Sequence, residues 1–256
     1  MAVFITGDIH SDVRRFTTMA FPEQKELTKD DIVIICGDFG LVWDYAGESE
    51  SEKYWLNWLE DRPFTTIFVD GNHECFPRLY DYPVKEWNGG KVHEIRPSVL
   101  HLMRGEVFTI EGKKFFAFGG ARSHDIYDGI LDPETDPDWN DTAKQMYSEG
   151  KWAYRVKGRS WWAEEMPSDK EMENGINNLK KHDFKVDYVI SHCCPTFAQS
   201  VLGNGTYDTD YLTDYFQSLV YDYGFDFSKW IFGHYHDNKY VLDRFVLLYE
   251  QITRLL

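Results

Sequence analysis

Thr66-Ile-Phe-Val-Asp-Gly-Asn-His-Glu74 sets the pattern for the whole chain. Its first half is a short β-branched and aromatic run, and its second half is a glycine followed at once by polar and titratable residues. That composition is expected of a buried strand that ends abruptly in a loop. Toward the N-terminus, Ala2-Val-Phe-Ile-Thr6 and Asp31-Ile-Val-Ile-Ile-Cys36 repeat it, followed by Gly7-Asp8 and Gly37-Asp38. Between these runs, Asp12 to Ala20 and Ser49 to Asp61 carry helical spacing; in the second, Tyr54, Trp55, Trp58 and Leu59 recur at three and four residues above a charged face. The opening order is therefore β-α-β-α-β.

Toward the C-terminus the pattern changes. Ser98 to Gly119 alternates, with a Glu111-Gly112 turn joining Val107–Ile110 to Phe115–Phe118, which predicts a hairpin. Asp183 to Ser191 and Trp230 to Phe232 read as strands, Asp208 to Tyr221 as a helix, and Lys239 to Tyr249 as a closing pair of short strands. Ala121 to Pro167 fits neither period and is rich in tryptophan, proline and acids. The expectation is one domain over residues 1–256 with an ordered insertion at about 121–167.

The 256 residues include 27 basic and 43 acidic side chains, a formal charge of −16. Such a balance opposes any sequence-independent grip on long nucleic acid, whose affinity rests on Lys and Arg neutralising phosphates. A small phosphorylated or nucleotide substrate is expected and nucleic acid is not. No apolar run approaches the roughly 18 residues that span a bilayer, so no membrane partner is expected. The N-terminus lacks the basic region of a signal peptide, and Cys36, Cys75, Cys193 and Cys194 form no C-x-x-C pair. Reduced thiols and a cytoplasmic location are the expectation. Oligomeric state is left open.

The chemistry gathers at the strand ends. Asp8 and His10, Asp38, Asn72 and His73, His192, and His234 and His236 each follow a predicted strand. Residues i and i+2 of an extended segment point the same way, so each D-x-H or H-x-H pair can face a common centre. Carboxylate, imidazole and amide oxygen suit Mn, Fe or Zn, with one aspartate able to bridge two ions. Alone, D-x-H means little, since composition produces it about 0.9 times by chance; G-N-H followed by an acid is expected about 0.004 times and G-H-x-H about 0.02 times.

The order Gly7-Asp-Ile-His10, Gly37-Asp38, Gly71-Asn-His-Glu74, Ser191-His192 and Gly233-His-Tyr-His236 resembles the calcineurin-like metallophosphoesterase superfamily, over residues 7 to 236. The resemblance implies an α/β fold, a two-sheet β-sandwich flanked by helices in four αββα layers, with two divalent metal ions at the strand ends. By the family pattern Asp8, His10 and His236 hold the first ion, Asn72, His192 and His234 the second, and Asp38 bridges them. His73 is the catalytic residue free of metal, assisting the leaving group of a phosphomonoester or phosphodiester while a metal-bridging hydroxide attacks. Two other classes stand beside this one: a non-catalytic binding scaffold of the same fold, and a nuclease acting on nucleic-acid ends.

The protein serine/threonine phosphatase branch would show two arginines that are missing from Gly37-Asp-Phe-Gly-Leu-Val-Trp43 and Asp70-Gly-Asn-His-Glu74. Leu41 also stands where that branch has the acid that orients the catalytic histidine. Gly119-Gly-Ala-Arg-Ser-His-Asp125 instead looks like a bacterial and phage group of unassigned substrate. In the insertion, Lys151 to Arg159 carries four basic residues and no acid. Arg155 and Arg159 are thus candidates to bind the substrate's phosphate in place of the missing arginines. His93, His101 and His182 are read as structural, His124 as structural but near the site, and the cysteines as packing.

Overall fold

Alternation along each strand decides which layer it feeds. In β1 (Val3–Thr6) and β2 (Ile32–Ile35) all residues are buried. Val3, Ile5, Ile32 and Ile34 enter one apolar layer, and Phe4, Val33 and Ile35 enter another, as a period of two requires. The computed structural model describes residues 1–256. It adds β3 (Thr65–Phe68), β4 (Val84–Trp87), β5 (Gly90–Arg96), β6 (Val99–Leu102), β7 (Glu106–Ile110) and β8 (Lys113–Phe118). Then follow β9 (Gly129–Leu131), β10 (Tyr154–Val156), β11 (Lys185–Ser191), β12 (Asp226–Phe232), β13 (Lys239–Val241), β14 (Phe245–Leu247) and β15 (Thr253–Arg254).

Seven strands form one sheet in the order β15-β1-β2-β3-β6-β5-β4, and six form a second in the order β13-β14-β12-β11-β8-β7. The centres, β1-β2-β3-β6 and β8-β11-β12-β14, are parallel, and the rims are antiparallel. Helices cover the outer faces: α1 (Glu50–Glu60) and α2 (Phe76–Asp81) bury Leu56, Leu59, Phe76 and Leu79 on the first sheet. After α3 (Trp139–Ser148), α4 (Asp169–Lys181), α5 (Thr196–Leu202) and α6 (Tyr211–Tyr221) bury Leu179, Ala198, Leu212 and Phe216 on the second. Three apolar layers thus separate four structural ones, the αββα arrangement expected from the sequence. Capping boxes at Ser49 with Glu52 and Ser168 with Glu171 start α1 and α4, each cap worth about 1 kcal/mol.

The hairpin forms as read, Ile110 facing Lys113 across Glu111 and Gly112, both at positive φ as a two-residue turn demands. The segment Asp12 to Ala20 differs from expectation, holding one 3₁₀ turn over Val13–Phe16. Val13 and Phe16 give it a single turn's worth of buried surface. The Thr17 hydroxyl bonds back to the Arg14 carbonyl and competes with helix continuation. Between 121 and 167, the parallel pair β9 and β10 and the helix α3 stand beside the main sheets. No helix is long and apolar enough to cross a membrane.

Candidate metal centre

Parallel strands place their C-terminal ends along one edge, and there the chemistry collects. Asp8 and His10 follow β1, Asp38 follows β2, Asn72 and His73 follow β3, His192 follows β11, and His234 and His236 follow β12. One ligand atom each from Asp8, His10, Asp38 and His236 lies within 4.8 Å of the others. His236 Nε2 is 3.1 Å from Asp8 Oδ2, and His10 Nε2 is 3.5 Å from Asp38 Oδ2. On the other side of Asp38, His192 Nε2 lies 3.3 Å from Oδ1, and the His234 ring packs edge-on to His192 at 4.9 Å. Asp38 therefore stands between two groups of side chains.

The backbone is bent to make this possible. His10, Asp38, His234 and His236 all adopt positive φ, a conformation costing of order 1 to 3 kcal/mol per residue and concentrated at functional sites. The glycines of the motifs provide clearance. A Cβ on Gly37 would sit 2.1 Å from His192 Nδ1, one on Gly71 2.0 Å from Asp38 Oδ1, and one on Gly233 1.9 Å from Asp8 Oδ1. Glu74, the last residue of the G-N-H-E motif, ties the loops together by accepting from the Phe39 and Gly40 amides at 2.7 and 3.1 Å.

A second ring of contacts orients the first. His192 Nδ1 contacts the Cys36 carbonyl at 2.7 Å, leaving Nε2 to face the centre. Asn72 Nδ2 donates to Ser123 Oγ at 3.3 Å, and Ser123 Oγ donates to Glu165 at 2.6 Å. This directs Asn72 Oδ1 the other way. Beneath them Asp70 receives Arg104 and His101, both buried, and Arg104 also donates to the Glu164 and Glu165 carbonyls. His101 in turn stacks on His93 with ring nitrogens 2.9 Å apart. Asp70, Arg104, Glu165 and Ser123 thus link the β3 end to the segment after β8. The sequence signal for Ser123 was its place in Gly119–Asp125, and Glu165 lies only within the insertion range; nothing in the pattern pointed to the Asp70 cluster.

The donor set fits divalent cations. Buried His192 Nε2 and Asn72 Oδ1 have no aligned hydrogen-bond partner, and both offer lone pairs. The electrostatics also call for positive charge. Burial opposes a charge on His192, yet Asp38 and Asp8 push its pKa up to about 10, so without an ion a proton occupies the place of a cation and must leave for Nε2 to offer its lone pair. Burial would raise Asp38, but His192, His73 and His10 hold its carboxyl well below the ordinary range. Oxygen and imidazole ligands without thiolate suit Mn, Fe or Zn.

Comparison with known proteins agrees with this geometry, since a family model described as calcineurin-like phosphoesterase matches residues 1–238. The chain belongs to the calcineurin-like phosphoesterase family. The enzyme class expected from the sequence, a metal-dependent phosphoric ester hydrolase, is the class this match gives. Among curated relatives, lariat debranching enzyme A of Xenopus laevis is 27% identical over 161 residues, covering 57% of this chain and 28% of that protein. The lariat debranching enzyme of Drosophila pseudoobscura pseudoobscura is 24% identical over 209 residues, covering 77% of this chain and 33% of its own. That of Schizosaccharomyces pombe is 29% identical over 134 residues, covering 48% and 26%. The chain thus spans a third or less of these relatives. Their shared name gives no support to the expectation that nucleic acid is not a partner.

In this chain Leu41 is buried, and other groups surround His73. Its ring stacks on Trp43 at 5.5 Å, and its Nε2 lies 3.4 Å from Arg155 Nη2. Asp125 pairs with the same guanidinium. Burial, with Arg155 nearby, lowers the His73 pKa against the pull of Asp38. Arg155 therefore reaches the site. Arg159 does not: it stacks over Trp139 and Tyr45, at 4.6 and 5.0 Å. Aromatic faces hold it there more closely than any carboxylate does. His124 approaches His234 at 5.2 Å between ring centres. All four cysteines are buried and unpaired.

Proposed function

We propose that the chain is a binuclear metal-dependent phosphoesterase, in which Asp8, His10 and His236 hold one ion, Asn72, His192 and His234 the other, and Asp38 both. The observation that carries this reading is the pair of buried, unpartnered lone pairs on His192 Nε2 and Asn72 Oδ1, set across Asp38 from the Asp8, His10 and His236 group. Two divalent ions, Mn²⁺ being the first to test, would supply an activated water and neutralise phosphoryl oxygens when bound. The chain's own residues do the rest. The glycine-cleared loops fix the ligands, Arg155 steadies a phosphoryl oxygen beside His73, and His73 donates a proton, or a hydrogen bond, to the leaving oxygen. Unpaired buried thiols accord with a cytoplasmic location.

The test is hydrolysis of bis(4-nitrophenyl) phosphate and 4-nitrophenyl phosphate by metal-analysed protein with added Mn²⁺. His73→Ala should keep its metals and lose rate by about 10² to 10⁴-fold, most for poor leaving groups. Arg155→Ala should lower kcat/KM about tenfold or more, while Arg159→Ala leaves it unchanged. Two bound ions with no hydrolysis of any ester would instead identify a scaffold. The name shared by the relatives favours a second reading, in which the ester is the branch of a lariat. Cleavage of a lariat-form oligonucleotide, set against its linear counterpart at several salt concentrations, decides between the readings.

A further inference from the structure

Beside the proposed metal centre lies a cleft of about 460 Å³ whose wall includes His234 and His236. That volume falls within the roughly 300 to 1,000 Å³ typical of small-molecule sites. The cleft has the parts of a binding site. Arg122 is its one guanidinium or ammonium, and it makes no hydrogen bond and no ion pair, although the chain carries 43 acids. Gln199 is 6% exposed; its Nε2 donates to the Asp208 carbonyl at 3.1 Å, but its Oε1 is buried without a donor. A buried acceptor left unpaired costs free energy unless a ligand or water supplies the proton. Tyr207, 44% exposed, supplies an aromatic surface in the same cleft, backed by the tilted ring of Tyr235 at 5.1 Å.

We infer that this cleft is a nucleoside subsite: Tyr207 takes the face of a base, Gln199 Oε1 accepts an N–H from its edge, and Arg122 takes an anionic oxygen of the adjoining phosphate. The inference rests on the phosphoesterase reading, because the cleft opens onto the proposed ligands His234 and His236, where the ester would react. It narrows the substrate to a nucleotide ester. An unpaired guanidinium suits the phosphate, an exposed ring suits a flat base, and a lone acceptor suits a base with a ring N–H, such as thymine. Free nucleotide and the end of a nucleic acid share this chemistry.

Two esters with the same leaving group provide the test: bis(4-nitrophenyl) phosphate and the 4-nitrophenyl ester of thymidine 5′-monophosphate. The protein should prefer the thymidylate ester in kcat/KM by about tenfold or more, the worth of a stacked base. Tyr207→Ala should abolish that preference, lowering kcat/KM for the thymidylate ester by about tenfold or more with metal content unchanged. Arg122→Gln should lower kcat/KM for both esters about tenfold with metal content unchanged. Calorimetry with thymidine 5′-monophosphate against inorganic phosphate gives a readout without turnover, in which Tyr207→Ala should weaken only the nucleotide. If neither ester is hydrolysed but thymidine 5′-monophosphate binds through Tyr207, the subsite stands and the phosphoesterase reading falls. Equal rates on both esters, with nucleotide binding no tighter than phosphate and insensitive to Tyr207→Ala, overturn the inference. A thymidylate ester extended into a tetranucleotide separates the sources: faster turnover than the mononucleotide points to a nucleic-acid end, equal turnover to a free nucleotide.

Discussion

Asp70→Asn changes a single atom type at the base of the G-N-H-E loop, yet its consequences should be large. Asp70 is fully buried and accepts from Arg104 Nε and Nη2 and from His101 Nε2, while the Arg104 side chain is 1% exposed. Burial would raise the Asp70 carboxyl, but Arg104 and His101 hold it below the ordinary range, so it is ionised throughout the neutral range. Asparagine keeps the shape and one acceptor but leaves the guanidinium buried without its counter-charge; Glu171, 3.6 Å away and partly exposed, is the remaining carboxylate. Breaking a buried pair from one side costs about 3 to 5 kcal/mol. For a chain of this length that is a fall in Tm of roughly 5 to 20 °C. Urea denaturation is the assay, with Arg104→Met and the double variant completing a cycle. The double variant should recover most of the loss, because no charge is then left uncompensated. A loss below about 1 kcal/mol for Asp70→Asn, or a double variant as unstable as the sum of the singles, would refute this account of the cluster.

Asp38→Asn should lower bound metal from near two equivalents to well below one, since the proposed shared ligand serves both ions; mass spectrometry under native conditions counts them, and two retained ions exclude the shared role. Ser123→Ala should free the Asn72 amide to rotate and weaken the second ion about 10- to 100-fold, measured by titration with a competing chelator, while the first ion keeps its affinity. His93 gives a pH dependence. Burial, with His101 beside it, lowers its pKa to about 4 from an ordinary 6.5, so the unfolded chain takes up that proton first as pH falls. Its contribution is complete above about pH 6.5 and declines toward pH 4, amounting to about 2 kcal/mol between pH 7 and 5. Urea titrations of wild type and His93→Gln at the two pH values should differ by that slope, and parallel losses would count against it.

The candidate metal-site residues could be picked out because each motif is local: a short apolar strand, a glycine, then a candidate ligand within three residues. Continuous apolar runs, buried on both faces of the sheet, made β1, β2 and β3 readable for the same reason. What could not be read is what long-range packing creates. The β-branched Thr17 and Thr18 follow a single apolar turn, and only the surrounding sheet decides that Asp12 to Ala20 stops there. α4, with Gly175 and three asparagines, lacks strong propensity and is held by its capping box and by Gly175 lying against Gly105. Charge alone could not separate Arg155 from Arg159, because the choice depends on Asp125 for one and on Tyr45 and Trp139 for the other. His93 and His101, read as structural, stack on each other, and the contact of His101 with Asp70 brings them close beneath the G-N-H-E loop.

The glycine clearances also bear on the order in which the protein assembles. Gly37 accommodates His192, 155 positions later in the chain, and Gly233 accommodates Asp8, 225 positions earlier. Each tight fit joins a loop of the first sheet to a loop of the second. On the proposed assignment neither sheet alone holds a complete set of ligands, and a partly folded chain with undocked sheets would have only half-sites. If the proposed ligands bind as assigned, high-affinity metal uptake belongs to the last docking step in folding, and during refolding a bound ion would report sheet closure.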